Sequence, residues 1–382
     1  MMTQTLLQRE PRLIESFGSD CLKSKNSVAA SNLKPLRILH VGPFWDGSTS
    51  LWRREALRSL GHQVVPLDIT PFESIGPRLL RSLRHRLSWG PGVGKLNREL
   101  LKLVENSRPD VILVDKGLLI RPKTLQRARA IAGPLLVNYN NDDPFGHAQI
   151  GWRLFLRAIP HYDLHFVGRE QNFVEYRAHG ARRVERLRWA YHPRIHTPQN
   201  VSAADRDRLG GAVGFIGDYE SDRALCMHYL AQRGIPVRVW GMRWSRCKLS
   251  DRNLLLENRP IWAVEYAKAI CSFDIVLGFL RKVNRDLSTS RSIEIPACGA
   301  FFLAERTTEH QQLFAEGKEA EFFSSKEELF GKVRFYLDNP QARKRIAVAG
   351  RERCLSSGYS YEEGLKASLI SIYEGHLHGR VN

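Results

Sequence analysis

The sequence predicts an α/β protein made of two Rossmann-like halves, each a parallel sheet with helices on its faces. Three observations predict it. Short apolar runs alternate with helical stretches in the first part of the chain, at Ile38–Val41, Val64–Leu67, Val111–Asp115, Leu135–Tyr139 and Leu164–Val167. The pattern then dissolves at His192–Gly211, HPRIHTPQNVSAADRDRLGG, a polar stretch with two prolines and two adjacent glycines. A second alternation follows at Val213–Gly217, Val237–Trp240, Asp274–Phe279 and Ala300–Ala304. Strand–helix–strand with short links marks a parallel sheet covered on both sides, and a polar Pro/Gly stretch between two such patterns marks a boundary. At 382 residues the chain is long enough for two ordinary domains.

Met1–Lys34 has no continuous apolar core, because its apolar residues are scattered among Arg9, Arg12, Lys23 and Lys25. It is expected to be a mobile tail rather than a signal peptide, with at most one helical turn at Leu13–Phe17. Leu51–Leu60 is an amphipathic helix: Trp52, Ala56 and Leu60 share a face with Leu57 beside them, and Arg53, Arg54 and Arg58 lie elsewhere. Gly61-His62 starts the next strand. Leu225–Arg233 is a helix between two strands of the second half. Ser292–Cys298 is a short helix with Glu294 near its start, Gly299 is its left-handed cap, and Ala300–Ala304 is a buried strand. Glu327–Leu337, Gln341–Cys354 and Tyr361–Tyr373 close the chain as helices.

Runs such as Val111–Val114 and Pro134–Val137 are far too short to span a bilayer. The six cysteines (Cys21, Cys226, Cys247, Cys271, Cys298, Cys354) show no C-x-x-C spacing, so reduced, mostly buried thiols and a cytoplasmic location are expected. A net charge of +18 points to an anionic partner: substrate, membrane surface or nucleic acid.

Glu294 stands where α/β proteins bind nucleotides, beside a turn at a sheet edge. It suits vicinal hydroxyls, or it is a helix N-terminal acid favoured by the dipole. Arg291 shares its face one turn earlier, as a phosphate fork or as an intrahelical ion pair with Glu294. Ser288, Thr289 and Ser290 offer hydroxyls and N–H groups to an anion, or are ordinary caps. Gly217, in G-D-Y-E after a strand, lets a phosphate approach the backbone, and Gly42 to Ser48 (GPFWDGS) holds the same place in the first half. Neither loop is G-x-G-x-x-G, which argues against a dehydrogenase. Asn140–Pro144 (NNDDP) puts Asp142 and Asp143 past a strand end, with His147 close by, as a metal pair, a base for an acceptor hydroxyl, or an Asp-Pro turn. Arg78–Trp89 (RLLRSLRHRLSW) is a basic amphipathic stretch, either lying on an anionic membrane or packing its leucines inward. Arg177–Arg194 adds further arginines.

The segment from about Phe273 to Tyr373 resembles the nucleotide-binding half of a group-1 glycosyltransferase of GT-B fold, nearest the branch similar to the CgeB spore-maturation proteins. The pieces that carry the resemblance are R-S-I-E-I-P-A-C-G-A at Arg291–Ala300, Thr308–Glu309, L-F-A-E-G-K-E at Leu313–Glu319, E-L-F at Glu328–Phe330, Y-L-D-N-P at Tyr336–Pro340 and A-G-R-E-R at Ala349–Arg353. The D-D-P at Asp142–Pro144 is similar to the same branch. The resemblance implies two domains facing across a cleft, here 35–200 for the acceptor and 201–358 for the nucleotide sugar. A closing helix within 359–382 would cross back onto the first. It implies a UDP-sugar donor, Glu294 on ribose, and a hexosyl transfer that needs neither metal nor other cofactor. It also implies an acceptor that could be anionic or lipid-linked, at the inner membrane face. Asp286 replaces the first glutamate of the family's E-x7-E, which leaves its contact with the sugar open. Gly299 and Ser290 belong to the same donor motif. A polyanion- or nucleic-acid-binding protein and a transferase-like scaffold without catalysis are the alternatives, with no specific nucleic acid expected.

Overall fold

Two parallel six-stranded sheets organise the chain. The computed structural model describes residues 34–73, 75, 90–146 and 151–379, with the backbone alone for 375–379. The expectations for the N-terminal tail, for Arg78–Trp89 and for His147 lie outside the described residues. The described residues from Pro35 onward cluster as one compact unit.

The first sheet holds β1 (Arg37–Gly42), β2 (Gln63–Asp68), β3 (Val111–Asp115), β4 (Leu135–Asn140), β5 (Leu164–Val167) and β6 (Val184–Arg186), in the order β2-β1-β3-β4-β5-β6. The second holds β7 (Gly211–Ile216), β8 (Val237–Trp240), β9 (Leu254–Leu256), β10 (Phe273–Gly278), β11 (Phe302–Glu305) and β12 (Glu321–Phe323), in the order β12-β11-β10-β7-β8-β9. The ladders are parallel throughout. The α/β class and the two-sheet architecture are thus as the alternation of apolar runs predicts. Strands β6, β9 and β12 stand at sheet edges and are three residues each, too short to carry a long apolar run. In each sheet the order reverses beside the first strand: β1 lies between β2 and β3, and β7 between β8 and β10. Loops leaving the carboxyl ends of strands at such a switch point enclose a crevice. The loops after β1, β3, β7 and β10 therefore build the site.

Burial explains the central strands. Val111, Ile112 and Val114 of β3 and Ile275, Val276 and Leu277 of β10 are fully enclosed between helical layers. In the second half, Phe302, Phe314 and Phe322 fill one side of the sheet, and Phe215, Met227 and Leu303 the other. Helix Thr49–Ser59 buries Trp52, Ala56 and Leu57, and Ser48 caps it by accepting from the Leu51 amide at 3.1 Å. Arg53 departs from the expected pattern. Helical spacing set it off the apolar stripe, yet it is only 3% exposed. Its guanidinium bonds the Asp115 carboxylate at 3.2 and 3.1 Å, a partner supplied by β3 and invisible in the local pattern.

Inside the polar His192–Gly211 stretch, Ala203–Leu209 forms a helix, started by a reciprocal cap between Ser202 and Asp205. Gly299 (φ 72°) ends helix Arg291–Ala297 in the left-handed region, as expected. The closing helix Tyr361–Gly379 packs on helix Thr49–Ser59 and on β4 of the first sheet. It is tied there by the Tyr361 amide, which donates to the Tyr191 carbonyl at 3.1 Å.

Candidate active site

Between the two sheets, at their carboxyl edges, lies a cleft of about 570 Å³, a size that holds a small organic ligand. One wall comes from the loops after β1, β3 and β4, with Ser48, Arg53, Asp115, Lys116 and Asp142. The other comes from the second half, with Gly217, Arg223, Ser290, Arg291 and Glu294. Trp45 and Trp262, 41% and 46% exposed, meet edge-on across the mouth with centroids 4.7 Å apart.

Glu294 sits on the cleft wall, on helix Arg291–Ala297, and is nearly buried. Its Oε2 accepts the Tyr266 hydroxyl at 2.8 Å and the Ser290 hydroxyl at 3.1 Å. Burial and the Glu294 charge hold the Tyr266 phenol well above its ordinary value, so it stays a donor. Oε1 lies 3.9 Å from Nε2 of His196, a residue of the linker between the sheets. The carboxylate is thus pinned through Oε2, while Oε1 accepts no hydrogen bond from the described residues.

Arg291 forms no ion pair with Glu294 or with any other described residue; its Nε is buried without a partner. Arg223, at the start of helix Ser221–Ala231, is 4% exposed. It is held by the carbonyls of Asp218 and Leu280, both at 3.0 Å, which joins the loops after β7 and β10. Burial and the neighbouring positive charge of Arg291 bring its guanidinium down to about 10, still protonated at neutral pH. Glu220 stands 3.6 Å from Arg223, so Arg291 is the cation of the two that has no carboxylate partner among the described residues. The Gly217 N–H is spent on the Trp240 carbonyl at 2.8 Å, and a Cβ there would stand 2.6 Å from the Phe215 ring. Gly241 packs on the same spot: a Cβ there would stand 2.1 Å from the Gly217 oxygen.

The two acidic residues past β4 have separate environments. Asp142 lines the cleft and pairs with Lys116, which pulls its carboxyl below the ordinary value against the effect of burial. Asp143 lies off the cleft lining and is fully buried. It accepts from Arg285 Nε at 2.5 Å, from Arg285 Nη2 at 2.9 Å and from Asn172 at 3.0 Å. Arg285 also pairs with Glu175 at 2.9 Å. Asp286 lines the cleft in a buried ion pair with Arg169, whose guanidinium also bonds the Asn141 carbonyl. Burial nonetheless raises the Asp286 carboxyl. Residues 284–286 of the second half are thereby clasped to residues 142, 143, 169 and 175 of the first.

Of the other candidates, Ser290 and Ser48 line the cleft. Ser48 spends its hydroxyl on the Pro43 carbonyl at 2.7 Å. Gly42 lies behind the lining, where a Cβ would crowd Asp115 Oδ2 at 3.1 Å, and Gly299 shapes the turn behind Glu294. Sequence reasoning missed His196, Arg223, Tyr266, Arg169, Lys116 and the Arg53–Asp115–His40 group. Arg223 had one signal, its place a few residues past the Gly217 loop; the others had none.

Residues 223–369 match a family model described as Glycosyl transferase-like. Comparison with curated proteins finds no match. Among solved structures, sucrose-phosphate synthase from Thermosynechococcus elongatus is similar at a TM-score of 0.64 and 13% identity, over 88% of this chain and 98% of that one. HepE of Anabaena, in complex with UDP-glucose, is similar at 0.61 and 13%, over 88% and 99%. The fold is GT-B. A Listeria monocytogenes protein assigned as a UDP-N-acetylglucosamine 2-epimerase shares it at 0.53 and 12%, over 90% and 97%. Likeness at such identities speaks of fold alone, and function has to come from the site.

Proposed function

We propose that the chain is a glycosyltransferase that moves a hexosyl group from a nucleotide-sugar donor, a UDP-sugar, onto an acceptor hydroxyl. The observation that carries this is the placing, on one wall of the cleft, of Glu294 beside Arg291, a cation with no carboxylate partner among the described residues, with Arg223 close by. A carboxylate with one free oxygen suits a ribose, and two guanidinium groups suit the diphosphate beside it. The Glycosyl transferase-like match over residues 223–369 favours transfer over the epimerisation that the fold also hosts. The UDP-glucose complex of the Anabaena neighbour supports the choice of UDP.

In this proposal residues 201–358 hold the donor and 35–200 the acceptor, with the closing helix crossing back to the first half. The leaving diphosphate gathers charge as the glycosidic bond breaks. Preset cations at that point lower the barrier more than they strengthen ground-state binding. Arg223 and Arg291 supply this charge, so catalysis proceeds without a divalent ion. Asp142, kept ionised by Lys116, accepts the hydrogen bond of the acceptor hydroxyl. Asp143 and Asp286 hold the halves together around it. The chain belongs in this proposal to the CgeB-like branch. The basic segment Arg78–Trp89 would bring it to an anionic membrane surface at the cytoplasmic face, where a lipid-linked acceptor waits; no described helix is long and apolar enough to cross a membrane.

The test is thermal unfolding of the purified chain with UDP, GDP, ADP, CMP and dTDP, followed by UDP-sugar turnover with and without EDTA. A ligand at about 100 times its dissociation constant stabilises the folded state by roughly 2.7 kcal/mol. A shift with UDP that disappears in Glu294→Ala supports the donor site. No shift with any nucleotide overturns it, as does binding to polyanions alone. Turnover that EDTA abolishes removes the metal-free mechanism.

A further inference from the structure

His196 has no place in the donor motif, yet it stands beside the one free oxygen of Glu294. It is 2% exposed and lines the cleft. Its Nδ1 accepts the His192 backbone N–H at 3.0 Å. That contact fixes the tautomer: a ring nitrogen that accepts carries no proton, so Nε2 is the N–H donor. Burial holds the ring below its ordinary value against the pull of Glu294, so the imidazole is neutral near pH 7. Trp52 and Tyr266 box the ring in, with centroids 6.1 and 5.8 Å away. Nε2 is therefore a donor held 3.9 Å from Glu294 Oε1 by a boxed-in ring.

The gap of 3.9 Å between Nε2 and Oε1 is too long for a direct hydrogen bond. It is the right span for one bridging oxygen, since a hydroxyl about 2.8 Å from each atom would accept from Nε2 and donate to Oε1. Oε2 offers little to a ligand, because it already accepts from Tyr266 and Ser290. We propose that His196 Nε2–H and Glu294 Oε1 form a two-point seat for a single ribose hydroxyl of the donor, which makes His196 a specificity-determining residue that rejects nucleotides lacking that hydroxyl. This rests on the donor-site reading above. Its physical basis is that a seat built to hydrogen-bond a hydroxyl is left with two unpaired buried groups when the hydroxyl is missing.

The experiment is calorimetric titration of the full chain with UDP, 2′-deoxy-UDP and 3′-deoxy-UDP, in wild type, His196→Ala and His196→Gln. In wild type, loss of the seated hydroxyl weakens binding about tenfold or more, while loss of the other changes it little. In His196→Ala the two affinities converge, because UDP weakens towards the sensitive analogue. His196→Gln, which keeps a side-chain N–H, retains part of the ratio. The ratio within one variant is unaffected by a partly unfolded sample, so a folding defect cannot imitate the result. Equal binding of UDP and both analogues to wild type overturns the inference and leaves the donor site standing. A ratio that persists in His196→Ala does the same. Absence of UDP binding to wild type removes both.

Discussion

In the proposed donor site Glu294 takes a hydroxyl and Arg291 a charge, and their substitutions separate accordingly. Glu294→Ala takes away the acceptor of Tyr266 and Ser290, leaving buried donors unpaired at a cost of about 1–3 kcal/mol. UDP binding and turnover should both collapse, read by calorimetry and by sugar transfer, with unfolding temperature as the control. Arg291→Ala leaves those bonds intact. It should weaken UDP about tenfold or more while leaving uridine binding unchanged, because the lost charge faces phosphate alone. Equal losses for UDP and uridine would remove Arg291 from the diphosphate. Arg53 shows how far a residue's neighbours outweigh its own character. A basic side chain set off the apolar stripe is drawn inward because Asp115, itself held far below the ordinary carboxylate range by Arg53 and His40 despite its burial, is waiting there.

Two glycines with positive φ separate backbone strain from steric clash. Gly241 (φ 146°) touches the Gly217 oxygen, whereas Gly61 (φ 88°) faces open space. Gly61→Ala should cost only the left-handed strain, about 1–2 kcal/mol. Gly241→Ala adds a steric clash and should cost more, displacing the loop after β7; thermal unfolding and UDP titration of both variants check the contrast. The clasp between residues 284–286 and the first half makes a second test. Arg285→Ala leaves Asp143 buried without its cation and should destabilise the fold by about 3 kcal/mol. Its pH dependence has a definite sign. The Asp142 and Asp143 carboxyls titrate below the ordinary 3.8 in the folded chain. Their stabilisation is therefore present above the unfolded value and disappears as pH falls through the lower, folded one. Asp286, raised by burial, acts the opposite way: its contribution is present below 3.8 and is lost as pH rises through its folded value. Acid unfolding of wild type and Arg285→Ala should converge at low pH, where Asp143 is protonated in both.

Across the two halves, the net charge of +18 has to be weighed against how the arginines are used. Arg53, Arg169, Arg285 and Arg306 each hold buried or half-buried carboxylates and are part of the scaffold. Arg291 is different: it faces the cleft with no ion pair among the described residues. On the proposed reading, the anion taken there is local and small, a diphosphate, more than an extended polyanion. Binding to a polynucleotide should fall steeply with salt. UDP binding, which rests on partly buried groups, should fall much less; titrations at low and high salt decide between them.

The alternation of apolar runs was enough to reveal two parallel sheets, since a strand buried on both sides has to be apolar along its length. The short helix, its left-handed Gly299 cap and the strand after it were legible for the same local reason, and they set Glu294 at a sheet edge. The three-residue strands β6, β9 and β12 left no such trace, because three residues, even the Leu254–Leu256 triplet, are too few to show a period. The cleft's inner chemistry left none either. Arg169 with Asp286 and Arg285 with Asp143 are pairs more than a hundred positions apart, and His196 meets Glu294 from a linker that reads as polar spacer. Periodicity reports what a residue does for its own helix or strand. Which charges are paired, and which remain free to hold a ligand, depends on distances that exist only once both sheets have closed on one another.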